Sequence, residues 1–233
     1  MGIIETLFSE EFEIDFNIEE VEEKCKIPES LLFPHSNSKY LAGTKYFNAN
    51  YLELFDISSE NDTFNLKKKY SINCEAYITD LNFHPKYTSL IALSLNNGFI
   101  NIYEINDENQ KDIDNAISEI NAFDSYVQNI LFNPYRDEII SSCSYEQLKI
   151  FDLNKYTCLG NYSLTLSNGR TVLKWKSDNL FAYSDNKGII IDNYQSSNNS
   201  DKISIICDDK IKDFFFFNEN NFFNISYEYA IKF

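Results

Sequence analysis

Short hydrophobic runs of one kind recur along the chain at nearly constant spacing. The five runs occupy residues 51–57, 99–105, 147–153, 188–194 and 227–233. Their starts lie 48, 48, 41 and 39 residues apart. A repeat of about 40 to 45 residues that carries several strands is typical of the blade of a β-propeller. The spacing therefore predicts five consecutive antiparallel units.

A second pattern precedes these runs. Residues 78–85 (ITDLNFHP) and 127–134 (VQNILFNP) share one pattern and lie 49 residues apart. In both, apolar residues stand at the first and fourth positions, Phe at the sixth, His or Asn at the seventh and Pro at the eighth. Weaker copies stand at 170–175 and 211–216, and a remnant stands at 31–35. Small-residue segments lie between the two patterns, at 40–44, 90–94, 138–143, 180–184 and 222–226. Each unit thus predicts strand, turn, strand, turn, strand. We expect four aromatic residues to be buried between neighbouring units: Phe83, Phe132, Trp175 and Phe216.

This order of motifs resembles the blade of the WD-repeat family over roughly residues 27–233. Phe55-Asp56, Tyr103-Glu104 and Phe151-Asp152 stand at the family's Trp-Asp position, although no unit keeps a true Trp-Asp pair and the Gly-His dipeptide is missing. The resemblance implies an all-β WD-repeat-like β-propeller with about five four-stranded blades. The first unit is similar to first blades of coat-protein, coronin-type and histone-binding propellers, without choosing between them.

The sequence predicts two parts, an acidic N-terminal segment at residues 1–26 and a single propeller domain at 27–233. Phe12, Ile14, Phe16 and Ile18 alternate with polar residues, which predicts a half-buried strand at 11–18. That strand either completes the last blade and closes the ring or is offered to a partner. An open ring, with its edges covered by a partner, is the other solution.

The formal net charge of -16 and a pI near 4.5 argue against a phosphate-binding surface, so we expect no direct nucleic-acid partner. The basic run at 67–69 is interpreted as a solvated loop between units one and two. Acidity is concentrated at 5–23 and at 106–119, which is interpreted as an insertion between units two and three. These segments either steer a basic partner or only keep the chain soluble.

Candidate chemistry is sparse. The five Cys residues show no CxxC pairing, which favours reduced thiols and an intracellular location, cytoplasmic rather than nuclear. His35 and His84 each stand beside a Pro in equivalent turns, so we expect them to hydrogen-bond there and not to hold a metal. Phosphate loops, nucleophile elbows and zinc motifs are missing. We therefore expect no enzyme activity, cofactor or metal, and no apolar stretch approaches the length of a membrane span.

The sequence favours a non-catalytic scaffold for protein–protein interaction, a subunit of a larger intracellular assembly. The loops that enter the first strand of each unit would bind a protein partner, with a basic partner as one option, through Tyr77, Tyr126, Arg170 and Lys210. Tyr and Arg are the residue types enriched in interface hot spots. Two alternatives stay open. One is a central pocket for a small molecule, and the other is an obligate structural subunit of a coat or of a ribosome- or chromatin-associated complex.

Overall fold

The fold was analysed in a computed structural model. It describes residues 30–32, 40–44, 50–60, 63–105, 112–113, 115–164, 171–186, 188–196, 202–206, 211–216, 222–226 and 230–232. These residues form 20 strands in five sheets, and none of them lies in a helix that could cross a membrane. The N-terminal segment 1–26, with its predicted strand at 11–18, lies outside the described residues and stays a prediction.

The first three sheets are antiparallel meanders, in which strands pair in chain order. The first contains β1 (Ser30–Leu32), β2 (Tyr40–Thr44), β3 (Tyr51–Glu60) and β4 (Thr63–Asn73). The second contains β5 (Ile78–Phe83), β6 (Leu90–Leu95), β7 (Phe99–Glu104) and β9 (Ser118–Asn121). The third contains β10 (Asn129–Phe132), β11 (Ile139–Cys143), β12 (Gln147–Asp152) and β13 (Thr157–Ser163).

Two further sheets follow the same plan. The fourth contains β14 (Leu173–Trp175), β15 (Leu180–Asp185), β16 (Gly188–Asn193) and β17 (Ile203–Ile206). The fifth has three described strands, β18 (Ile211–Phe216), β19 (Phe222–Ser226) and β20 (Ala230–Lys232). The predicted succession of five antiparallel units is confirmed, and the first four hydrophobic runs and all five small-residue segments lie on or largely within a strand. Of the fifth run, at 227–233, only residues 230–232 are described, and they form β20.

Two segments interpreted as loops contain strand residues. Residues 67–69 lie on β4, where Lys68 forms an ion pair with Glu53 at 2.5 Å and Lys69 lies 3.6 Å from Asp56. The described residues of the 106–119 segment come before or on β9, the outer strand of the second sheet, so the segment does not follow the last strand of that unit. Part of it, β8 (Asp112–Ile113), pairs in parallel with β4 of the first sheet. This pairing covers the edge of β4 at Ser71 and Ile72, where unpaired backbone groups would otherwise be exposed.

The core consists of four apolar clusters, each lying between two consecutive sheets. Leu54 and Phe83 share the first cluster, and Ile102 and Phe132 share the second. The third joins Ile150 to Trp175, and the fourth joins the fourth sheet to the fifth. Because the inner sheets are covered on both faces, strands such as β6 and β11 are almost continuously apolar or small instead of alternating.

Three of the four aromatics expected between sheets are buried. Phe83 and Phe132 are each 2% exposed, and Trp175 is 6% exposed. Phe216 is the exception, because it is only partly buried, whereas Phe214 is fully buried in the fourth cluster. The two rings meet edge-on with centroids 5.8 Å apart. Four consecutive Phe residues, at 214–217, left the register of β18 open in the sequence. A shift of two residues keeps the same face of the strand inward.

Side chains on β5 bind the backbone of β10 across the boundary between the second and third sheets. The Asp80 carboxylate accepts a hydrogen bond from the Ile130 amide at 3.1 Å. The Asn82 side-chain oxygen accepts one from the Phe132 amide at 3.0 Å. The first strands of these sheets are thereby fixed in register, although they belong to separate ladders.

The turn after each of these strands is held by one buried polar side chain. Nδ1 of His84 accepts hydrogen bonds from the amides of Lys86 and Tyr87, and Nε2 donates to the Asp137 carbonyl in the next sheet at 3.1 Å. Asn133 does the same after β10, since its side-chain oxygen accepts two turn amides and its Nδ2 donates to the Asp178 carbonyl at 2.8 Å. The prediction that His84 hydrogen-bonds in a turn is confirmed. His35 lies outside the described residues.

We predict that His84 makes stability depend on pH near neutrality. Burial lowers the pKa of His84, and protonation of Nδ1 would remove the acceptor of two amides. The unfolded chain, with an ordinary histidine pKa of about 6.5, therefore takes up a proton first as the pH falls. The contribution of His84 should be complete above about pH 6.5 and should decline below it. Urea unfolding from pH 5 to 8 measures this effect.

The matched variant is His84→Asn, which copies Asn133 and does not titrate. Between pH 7 and 5, the free energy of unfolding of this variant should fall less than that of the wild type, because the contribution from protonation of His84 is absent. His84→Ala should lower the free energy of unfolding by about 2 kcal/mol at neutral pH, because two amides lose their acceptor. Identical pH profiles for the wild type and His84→Asn would contradict the assignment.

Candidate functional site

Two of the four predicted interface residues lie where adjacent sheets begin. Tyr77 directly precedes β5 and is 50% exposed, and Tyr126 lies shortly before β10 and is 39% exposed. Arg170 and Lys210 lie outside the described residues, so their place stays a prediction. The structure thus brings together the two tyrosines at one end of the second and third sheets.

The turn between β6 and β7 links the two tyrosine loops. The Tyr77 amide donates to the Asn96 side-chain oxygen at 3.0 Å, and the Asn96 amide donates back to the Tyr77 carbonyl at 2.9 Å. On the other side of the turn, the Val127 amide donates to the Leu95 carbonyl at 3.3 Å. Tyr77 and Tyr126 are therefore positioned by neighbouring residues of a single turn.

Gly98 permits this turn to approach the Tyr126 loop. It has a φ of 93°, and its carbonyl accepts hydrogen bonds from the amides of Ala122 and Phe123, each at 3.1 Å. A Cβ at this position would overlap the carbonyl oxygen of Phe123. Only glycine combines that backbone conformation with so close an approach of a neighbouring segment.

A third exposed tyrosine, Tyr145, was not predicted. It is 54% exposed, and its ring lies 5.8 Å from that of Tyr126 between centroids, tilted by 31°. Ser144 Oγ accepts hydrogen bonds from the amides of Glu146 and Gln147 and so orders the turn that carries it. The sequence did hold a signal for it. Tyr145 lies in the turn between the second and third strands of its unit, and this turn is equivalent to the Asn96 turn of the preceding unit.

We name the loops 74–77, 96–98, 122–126 and 144–146 the tyrosine rim. It presents exposed carboxylates at Glu75, Asp124 and Glu146, and these loops contain no Lys or Arg. A nearby cation on β12, the Lys149 ammonium, donates to the Ala122 carbonyl at 2.6 Å and lies over the Phe123 ring. The rim is therefore aromatic and acidic.

Nucleophiles near the rim are buried and protonated. Cys74 Sγ lies 3.5 Å from the Tyr103 hydroxyl, and burial raises the pKa of both groups. A thiol in apolar surroundings with a raised pKa is a poor nucleophile. In the described part of the chain, no three His, Cys, Asp or Glu side chains are grouped to hold a metal ion.

Comparison with known proteins shows a likeness in architecture alone. No family model and no curated protein sequence matches the chain. Among 1092 matching chains of solved structures is the WD40 domain of Toxoplasma gondii coronin, with a TM-score of 0.68 and 13% identity. The match covers 84% of this chain and 57% of that chain. The fold is therefore a WD-repeat-like β-propeller, of which the described residues form five blades.

Substitution of Gly98 should test how the rim is built. Gly98→Ala should lower the free energy of unfolding by about 2 kcal/mol, because the new Cβ meets backbone and the φ is positive. It should also accelerate hydrogen exchange at the amides of Ala122 and Phe123. Gly160→Ala is the control, since its Cβ would meet only the movable ring of Tyr162. An equal loss of stability in both variants would contradict the proposed role of Gly98.

Proposed function

We propose that the chain is a non-catalytic interaction scaffold within a larger intracellular assembly and that its tyrosine rim binds a basic segment of a partner protein. The observation that carries this proposal is the composition of the rim. Three exposed tyrosines and three exposed carboxylates lie on loops that contain no Lys or Arg.

The tyrosines have the properties of interface anchors. Tyrosine presents a large apolar ring and a polar hydroxyl, and ordering it costs little side-chain entropy. The Tyr126 and Tyr145 rings already lie against each other, and Tyr77 is fixed by two hydrogen bonds to the Asn96 turn. Because these loops are already ordered before binding, a partner that binds here would pay a smaller entropic cost of ordering the loops than a partner that binds a mobile loop.

The charge of the rim favours Lys and Arg in the partner. A cation stacked on a tyrosine ring gains a cation–π interaction, and the neighbouring carboxylates add charge complementarity. The net charge of -16 would also draw a basic segment toward the surface over a distance of about a Debye length.

The fold supports this proposal in general terms. Propellers display loops at the ends of rigid blades, and binding residues commonly lie on loops that a rigid scaffold positions. The similarity to a WD40 domain concerns architecture, and propellers of that kind commonly mediate protein–protein interactions.

Selection from a displayed library of random peptides tests the proposal. Peptides that bind the wild-type chain should be rich in Lys and Arg. Tyr126→Ala and Tyr145→Ala should each weaken the binding of a selected peptide by about thirtyfold, which corresponds to about 2 kcal/mol for a hot spot. A variant with Glu75→Gln, Asp124→Asn and Glu146→Gln should mainly slow association at low salt.

Tyr135→Ala is the matched control, because Tyr135 is 58% exposed but lies after β10, at the opposite end of the sheet. It should leave peptide binding unchanged. Selected peptides without basic residues, or peptides whose affinity is the same for wild type, Tyr77→Ala and Tyr126→Ala, would show that the rim is not the interface. The predicted strand at 11–18 would then be the next surface to examine.

A further inference from the structure

We propose that Lys149 is the positioning residue of the tyrosine rim, because its ammonium joins the strand after the Tyr145 turn to the loop that carries Tyr126. This inference rests on the proposed function and adds to it the group that sets the geometry of the binding surface. Lys149 is the third residue of β12, which begins directly after the rim loop 144–146. The loop with Tyr126 runs from the end of β9 toward the start of β10.

The second sheet holds the loop 122–126 near both of its ends. The amides of Ala122, Phe123 and Val127 donate hydrogen bonds to carbonyls at the turn between β6 and β7. These bonds fix the loop relative to the second sheet. Tyr145, in contrast, belongs to the third sheet, so they do not set the distance between its ring and the loop.

The third sheet is also joined to this loop near both ends. Just beyond the loop, the Gln128 amide donates to the Cys143 carbonyl at 2.8 Å, next to the turn that carries Tyr145. At its beginning, the Lys149 ammonium donates to the Ala122 carbonyl at 2.6 Å. The first bond joins two backbone groups and does not depend on a side chain, whereas the second requires a long side chain with a donor at its tip.

The ammonium of Lys149 is directed at the loop and not at a carboxylate. It lies 5.0 Å from the centroid of the Phe123 ring, and both Ala122 and Phe123 are buried. A charged donor strengthens a hydrogen bond, and the face of the ring adds a cation–π attraction. The chain has 36 acidic residues, yet Lys149 forms no ion pair with a carboxylate of the described residues. The carbonyl and the ring therefore hold this cation.

Lys149 thereby sets the spacing of the Tyr126 and Tyr145 rings, whose centroids lie 5.8 Å apart. Without the ammonium, the beginning of the loop would keep its bonds to the second sheet and lose its bond to the third. The two rings would then pair for a smaller fraction of the time. A partner that needs both rings would bind with an apparent affinity reduced by that fraction.

The electrostatic effect of Lys149 has the opposite sign. Removal of its charge makes an acidic rim more negative, which would favour the binding of a basic segment. Loss of positioning weakens binding, and loss of charge alone strengthens it. The direction of the change in affinity therefore separates the two effects.

The test is Lys149→Met, which keeps a long apolar side chain and removes the charged donor. We expect it to weaken the binding of a basic peptide selected on the wild type by about fivefold, although the rim has become more acidic. Lys149→Arg keeps a charged donor and should restore most of the affinity. In a Tyr126→Ala background, Lys149→Met should weaken binding no further, because Lys149 acts through that tyrosine.

Lys174→Met is the matched control. Lys174 also lies over a ring, that of Phe215 at 4.5 Å, but it stands on β14 of the fourth sheet and outside the rim. Its substitution makes the same change of charge as Lys149→Met. It should leave the affinity for the peptide unchanged or slightly higher.

A second measurement needs no peptide. In the free chain, nuclear Overhauser effects between the Tyr126 and Tyr145 rings should be lost in Lys149→Met and kept in Lys149→Arg and Lys174→Met. Hydrogen exchange at the amides of Ala122 and Phe123 should be faster in Lys149→Met than in the wild type.

Four results would overturn the proposal. These are peptide binding by Lys149→Met that is as tight as in the wild type or tighter, unchanged ring contacts in that variant, affinity as low in Lys149→Arg as in Lys149→Met, and further weakening in the Tyr126→Ala background. A wild-type chain that selects no basic peptide would refute the proposed function instead. The ring contacts and hydrogen exchange of the free chain would then decide the role of Lys149 by themselves.

Discussion

Hydrogen bonds from side chains of one inner strand to the backbone of the next fix the boundary between the second and third sheets. The two sheets belong to separate ladders, and apolar contact between their faces is not directional. Hydrogen bonds accepted by Asp80 and Asn82 fix the position of β10 along β5. The hydrogen bond from His84 to the Asp137 carbonyl fixes the two sheets where these strands end. The tyrosine rim lies at one end of this boundary and the His84 turn lies at the other, so the geometry of both ends depends on these bonds.

The two ends of the boundary differ in their chemistry. At the rim, Glu75, Asp124 and Glu146 carry charge that no cation of the same loops balances. At the opposite end, Asp137, Glu138 and Asp152 each pair with a Lys or Arg. A chain with a net charge of -16 thus has an acidic aromatic surface at one end of these two sheets and, at the other end, a surface on which these three carboxylates are paired.

The sequence predicted the three inner strands of each sheet because their apolar pattern repeats. The outer strands were not predicted, since strands such as β13 and β17 are largely exposed and their sequences, TCLGNYS and ISII, share no pattern that repeats from sheet to sheet. β8 pairs with β4 through only two residues, and a pairing this short leaves no periodic pattern in the sequence from which it could be predicted. Tyr77 and Tyr126 followed from their place before a strand. Tyr145 did not, because its contact with the Tyr126 ring arises only when the sheets pack.

Hydrogen exchange in an Asp80→Ala, Asn82→Ala variant tests most directly whether side chains on β5 fix the boundary. The account predicts faster exchange not only at Ile130 and Phe132, which lose their acceptors, but also at Val127, directly after the rim loop 122–126, and at Tyr87 in the turn after β5. Amides of β15 and β16 in the fourth sheet should keep their wild-type rates. Acceleration confined to Ile130 and Phe132, with Val127 and Tyr87 unchanged, would contradict the claim that one set of bonds governs both ends.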